Sequence, residues 1–191
     1  MRVKLLKYAG PWLLAGLLGC DLFSTRPPEP PIQEGGTFLQ PDTPERVVEN
    51  LQAAIAERNA GNYVRSLAED FTFVPTSSAE ARDPALWASW GRSSEEQYFS
   101  ALVAAITPLA VPQLQLTAST RRFEGATRYV LEATYRLTVP HTRPDAPTFV
   151  EGRLFWEITQ QPNGLWALTR WTDRQQGEVP SWSDLKRAFV H

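Results

Sequence analysis

An α+β domain is the fold this sequence predicts, with about three N-terminal helices on one face of an antiparallel sheet and a short C-terminal helix. Three observations carry that reading. Early in the folded region apolar residues recur at helical spacing, most clearly Val47, Val48, Leu51 and Ile55. Later they switch to alternation, with Tyr129, Leu131, Ala133, Tyr135, Leu137 and Val139 separated by mainly polar residues. Finally, Gln161-Pro162-Asn163-Gly164 supplies a tight turn between two long strand-like runs. Helices followed by consecutive strands indicate helices gathered on one side of a sheet.

The chain begins with a different kind of segment. Arg2, Lys4 and Lys7 form a positive start, and Tyr8 to Leu18 is an apolar run too short to span a bilayer. It closes on Leu17-Leu18-Gly19-Cys20, which resembles a bacterial lipobox. The resemblance covers the leader only. It implies a signal peptide over 1–19, cleavage before Cys20 and lipidation of that thiol, and hence a membrane contact through lipid and a bacterial envelope location. An ordinary secretory signal with a chance cysteine is the alternative. Cys20 is the only cysteine, so the chain forms no internal disulfide. Asp21 follows it; in some enteric bacteria an aspartate there retains a lipoprotein in the inner membrane, and the choice between inner and outer membrane stays open.

Residues 20–42 read as the lipidated cysteine and a tether. Pro27, Pro28, Pro30 and Pro31 with Gly35 and Gly36 leave little apolar periodicity, which suits an extended spacer better than a proline-rich ligand. Residues 43–191 are then the folded domain. Losing the leader takes away three cations and moves the formal charge from −2 to about −5. This charge, with no basic stripe, argues against nucleic-acid binding.

Within the domain, Thr43 and Pro44 start an amphipathic helix to Asn59, stopped by Gly61. Asn62 caps a second helix, Tyr63 to Glu69, and Phe71 to Val74 is a short strand. Thr76 to Arg92 reads as irregular, with one helical turn at Asp83-Pro84 bearing Trp87 and Trp90. Ser93-Ser-Glu-Glu96 is a capping box opening a third helix with the stripe Tyr98, Phe99, Leu102, Val103 and Ile106. Leu114, Leu116 and Ala118 begin the strands.

If Gln161 pairs with Leu165, the hairpin register sets Ile158 against Leu168, Trp156 against Arg170, Phe155 against Trp171, and Arg153 against Asp173 as an ion pair. Val150, Leu154, Trp156, Ile158, Trp166 and Leu168 then form the core face. A bulge in either strand would exchange the faces. At the C-terminus Ser181 and Asp184 resemble a capping box, and Trp182, Leu185 and Phe189 make one stripe of a short helix that must dock to be stable.

Two stretches carry a family resemblance: 51–62 with Leu67-Ala-Glu-Asp-Phe71, and the closing Phe155-Trp-Glu-Ile158 with Gly164-Leu-Trp-Ala-Leu168. Over about residues 44–174 the chain resembles the nuclear transport factor 2-like superfamily, which includes ketosteroid-isomerase-like and SnoaL-like enzymes and many non-catalytic modules. The resemblance implies a curved sheet wrapped around helices, a cone with a pocket at its open end. It does not imply a function.

The chemistry available is sparse. His141 lies in a proline loop and His191 ends the given sequence; no metal-ligand spacing, phosphate loop or nucleophile context is present, so no cofactor is called for. No catalytic residue is assigned. Tyr98, Tyr135, Trp156 and Arg170 are the candidate pocket residues, although aromatic stripes more often form core, and Arg170 can equally stack on Trp156. Asp70 and Asp173 are the alternative acids; a helix-end cap and the Arg153 pair are their plainer roles. A non-enzymatic module binding a small apolar ligand or an envelope protein is favoured over an isomerase or cyclase using a pocket aspartate. A buried aspartate of raised pKa facing a phenol would revive the enzyme. A homodimer through the outer face of the sheet is left open.

Overall fold

The computed structural model describes residues 35–190. Cys20, the leader, most of the tether and His191 lie outside the described residues. The elements run α1 (Pro44–Ala56), α2 (Ala60–Arg65), β1 (Leu67–Val74), α3 (Ser77–Arg82), α4 (Pro84–Trp87), α5 (Arg92–Ala105), β2 (Gln113–Phe123), β3 (Arg128–Thr138), β4 (Phe149–Gln160), β5 (Trp166–Gln175) and α6 (Trp182–Val190). They form a single sheet of order β1-β5-β4-β3-β2. The four long strands are antiparallel, and β1 joins the edge in parallel beside β5. Helix α2 packs between α1 and α5, and α5 also packs on β1.

Sequence explains most of these elements. Val47, Val48, Leu51 and Ile55 are all buried, and α1 packs on β4 and β5 through this stripe. Thr43 precedes Pro44, yet its side chain makes no cap bond. Helix α2 starts earlier than expected because Asn59, not Asn62, supplies the cap, accepting from the Asn62 amide at 2.9 Å. Gly61 therefore sits inside a helix. The segment read as irregular holds two short helices capped by Thr76 and Asp83. Residues 36–42, read as tether, are bonded to the domain: Thr37 N donates to Glu57 at 2.7 Å, Leu39 N to Asn50 at 2.8 Å, and Trp166 N to the Pro41 carbonyl at 2.7 Å.

The hairpin turn forms as expected, with Gln161 N donating to Leu165 O at 2.7 Å and Gly164 at φ +83°. Ile158 faces Leu168. Beyond that pair the register changes, because Thr169 is an extra residue whose hydroxyl donates to the Glu157 carbonyl at 3.0 Å. Glu157 then faces Arg170, Trp156 faces Trp171, and Leu154 faces Asp173. This one-residue bulge exchanges the two faces of the outer half of β5. Trp171 and Asp173 turn inward and are buried, while Arg170 turns outward. The expected Arg153–Asp173 ion pair is therefore absent, and Arg153 pairs with Glu132 instead.

The outer face of the sheet is a ladder of charges. Arg128 meets Glu157 at 2.8 Å and Arg136 meets Glu151 at 2.6 Å, while Arg174 covers the Phe155 ring at 4.3 Å. Among the described residues no helix is long and apolar enough to cross a membrane.

Candidate functional site

Helix α6 turns back into the concave side of the sheet and fills it. Its stripe, Trp182, Leu185 and Phe189, is buried as the spacing predicts, but Lys186 on the same side is buried too. The Ser181–Asp184 box forms: Ser181 N and Oγ reach Asp184 Oδ2 at 2.7 and 2.9 Å. Arg82 holds the same carboxylate from outside.

Two carboxylates lie inside the cone. Asp173, turned inward by the bulge, accepts the Tyr135 hydroxyl at 2.8 Å on one oxygen. Its other oxygen accepts the Ser183 amide at 2.8 Å and the Ser183 hydroxyl at 2.6 Å. Tyr135 in turn accepts the Trp182 amide at 2.7 Å. The first free amides of α6 are thus bound by the sheet, as a helix N-terminus requires. Gly152 makes this possible: a Cβ there would come within 2.6 Å of the Tyr135 hydroxyl and 2.7 Å of the Arg174 carbonyl. Burial pushes the Asp173 carboxyl up, against the opposing pull of its bonds from Ser183 and Tyr135.

Glu95 is the second carboxylate, on the first turns of α5 and fully buried. It accepts the Tyr63 hydroxyl and the Trp90 indole N–H, each at 2.7 Å, and pairs with the Lys186 ammonium. Four aromatic rings surround that ammonium: Trp171 at 4.0 Å, Phe73 at 4.1 Å, Tyr98 at 5.0 Å and Trp90 at 5.8 Å to the centroids. No member of the cluster other than Lys186 belongs to α6.

Burial lowers the Lys186 pKa from 10.5 to about 8, although Glu95 and Asp173 hold it up. Tyr63 and Tyr98 are raised well above the usual phenol range, by burial first and Glu95 second. Between about pH 8 and 10.5 the unfolded chain keeps a lysine proton that the folded chain has lost. This group's contribution to stability therefore rises with pH across that window, by up to ~1.4 kcal/mol per pH unit. Urea unfolding should show the wild type gaining stability relative to Glu95→Gln/Lys186→Met from pH 8 to pH 10, whichever of the two is the more stable at pH 8. A difference independent of pH would contradict it.

The remaining candidates are separated. Trp156 is buried against Trp171, ring centroids 5.5 Å apart, and neither indole N–H meets an acceptor among the described residues. Arg170 is half exposed on the outer face, 4.0 Å from Glu157, and does not join the interior. Asp70 lies on β1 rather than at a helix end and is exposed. Tyr98 donates nothing to solvent; its hydroxyl accepts the Trp182 indole N–H at 2.9 Å. It also lines a narrow crevice with Phe99, Ile106, Pro112, Val139 and Trp182, no part of which is as wide as a water molecule. Beside Ile106 and Pro112, Leu109 and Val111 are 95% and 62% exposed.

Glu95 and Lys186 were legible in principle. Glu95 precedes Tyr98, Phe99 and Leu102 by three, four and seven residues, and Lys186 lies four after Trp182 and three before Phe189. A charge set on an apolar helical stripe signals a buried partner. The local capping pattern hid Glu95, and α5 in fact starts at Arg92 behind Gly91, which makes no side-chain cap bond.

A curved sheet with helices packed on its concave side is the arrangement of the nuclear transport factor 2-like fold, which solved structures with the same fold bear out. No protein-family model matches the chain, and no curated protein matches it. Solved structures do. The chain is similar to a candidate aromatic ring hydroxylase of Novosphingobium aromaticivorans, with 15% identity, TM-score 0.55, and 74% of this chain and 92% of that one covered. It is similar to a candidate scytalone dehydratase from the same species, with 11% identity, TM-score 0.53, and coverage of 72% and 88%. An NTF2-like protein of Cytophaga hutchinsonii gives 12% identity, TM-score 0.52, and coverage of 68% and 93%. At these identities the likeness is one of fold.

Proposed function

We propose that this chain is a lipid-anchored protein of the bacterial envelope whose cone-shaped domain is a non-enzymatic binding module. The lipobox-like Leu17 to Cys20 supports the anchor. One observation carries the non-enzymatic reading: both interior carboxylates are committed to the chain's own groups, Asp173 to Tyr135 and Ser183, Glu95 to Tyr63, Trp90 and Lys186. Neither has an oxygen facing an open cavity, and acid–base catalysis needs one within reach of substrate. The ligand, a small apolar molecule or an envelope protein, would meet the exposed Leu109 and Val111 at the crevice mouth. The charge ladder on the outer sheet face supports a solvated surface there rather than an apolar dimer contact.

A second reading has an observation of its own. Asp173 is a buried acid of raised pKa facing a phenol, the arrangement an isomerase-type base would show. It requires α6 to withdraw. Cys20→Ser should abolish acyl labelling and release the chain from membranes; unchanged partitioning and unchanged acylated mass would overturn the anchor. Extraction in mild detergent should yield a ligand or partner that Leu109→Asp/Val111→Asp loses with its melting temperature unchanged. Turnover of a steroid or cyclic ketone by the wild type, abolished in a folded Asp173→Asn chain, would overturn the non-enzymatic reading.

A further inference from the structure

We propose that Glu95 and the rings of Phe73, Trp90, Tyr98 and Trp171 form a recognition site for an alkylammonium ion, with the Lys186 side chain its occupant in cis. The inference rests on the binding-module reading and names a ligand class for it.

The receptor half is complete without α6. Phe73 comes from β1, Trp171 from β5, Glu95 and Tyr98 from α5, and Trp90 from the segment before α5. Tyr63 and Trp90 bond the Glu95 carboxylate and fix its orientation, so the anion stays oriented when the cation leaves. The ring faces lie 4.0 to 5.8 Å from the ammonium nitrogen, the spacing at which aromatic quadrupoles attract a desolvated cation. A metal ion fits poorly, because hard divalent cations take six or more oxygens and this site offers one carboxylate among rings. An alkylammonium fits both parts: its N–H groups need one acidic partner, and its stem needs apolar walls.

The occupant is joined to the sheet by a short link, of which residues 176–178 lie outside β5 and α6. Residues 174–178 are exposed and include Gly177 at φ +65°. A free alkylammonium competing for Glu95 therefore competes with a tethered one, and its binding would loosen α6 from Asp173 and Tyr135. Ligand binding and helix release are then linked in free energy.

The test uses the full chain and n-butylammonium as the probe, with n-butanol as its neutral counterpart. Lys186→Ala leaves space for the stem; its melting temperature should rise saturably with n-butylammonium and not with n-butanol. In the wild type, the same cation should make α6 amides exchange on the order of tenfold faster while β3 and β4 amides are unaffected. Glu95→Gln should abolish that acceleration. The wild-type arm decides the matter even where Lys186→Ala does not fold. Equal effects of the neutral alcohol, or α6 exchange indifferent to the cation, would make Lys186 a structural tie and overturn the proposal. A chain that ignores n-butylammonium yet still carries a ligand from the membrane through Leu109 and Val111 would lose this site and keep the binding-module reading.

Discussion

Glu95→Ala is expected to destabilise the domain by about 3–5 kcal/mol, among the largest effects of any single substitution in this chain. The carboxylate is fully buried and serves three donors at once: the Tyr63 hydroxyl, the Trp90 indole N–H and the Lys186 ammonium. Removing it leaves a buried cation without a counter-ion and two further donors without an acceptor, which costs more than the pair itself contributes. Glu95→Gln/Lys186→Met keeps the volume and removes both charges. That double variant should lie near the wild type or above it, by up to about 4 kcal/mol. Urea midpoints of the wild type, the single variants Glu95→Ala and Glu95→Gln, Lys186→Met and the double variant would settle it. A Glu95→Ala chain within about 1 kcal/mol of the wild type would show that Lys186 reaches water and that the helix does not seal the cone.

Trp156→Ala should cost about 3–5 kcal/mol, because its indole is 1% exposed and packs edge-on against Trp171. Trp171 packs edge-on against Trp182 of α6 at 4.4 Å, so the three indoles form a continuous row from β4 to the plug. Truncating the first leaves a void that rigid neighbours cannot fill. Were Trp156 the wall of an open cavity, truncation would leave little new void and cost far less. Calorimetry or urea unfolding separates the two outcomes, and a stable Trp156→Ala chain would argue for an open cone.

The positions of the surprises are physically consistent. Long periodic stretches were legible: the β3 alternation from Tyr129 to Val139, the α1 stripe and the α6 stripe are set by local pattern, and the structure buries each of them. What was illegible depended on one residue of register. Nothing local marks Thr169 as the bulge, because a threonine there serves a regular strand equally well. That single insertion sent Arg170 outward and brought Asp173 to Tyr135. The buried pair was missed for a different reason. Glu95 stood inside a plausible capping box, beside its acid Glu96, and Lys186 stood in a short helix read only for its apolar stripe, so neither charge drew attention. Their partnership spans 91 residues of sequence. It exists only once β1 and α5 have closed the cage that α6 enters.

Hydrogen exchange of the α6 amides, read against those of β3 and β4 in the unliganded full chain, tests most directly whether the cone is closed by its own helix. The account predicts that Leu185, Lys186 and Phe189 exchange only as slowly as the central strands, through global unfolding. Exchange of α6 orders of magnitude faster than β3 and β4 would mean the helix opens by itself, leaving the cone unsealed, and would contradict it.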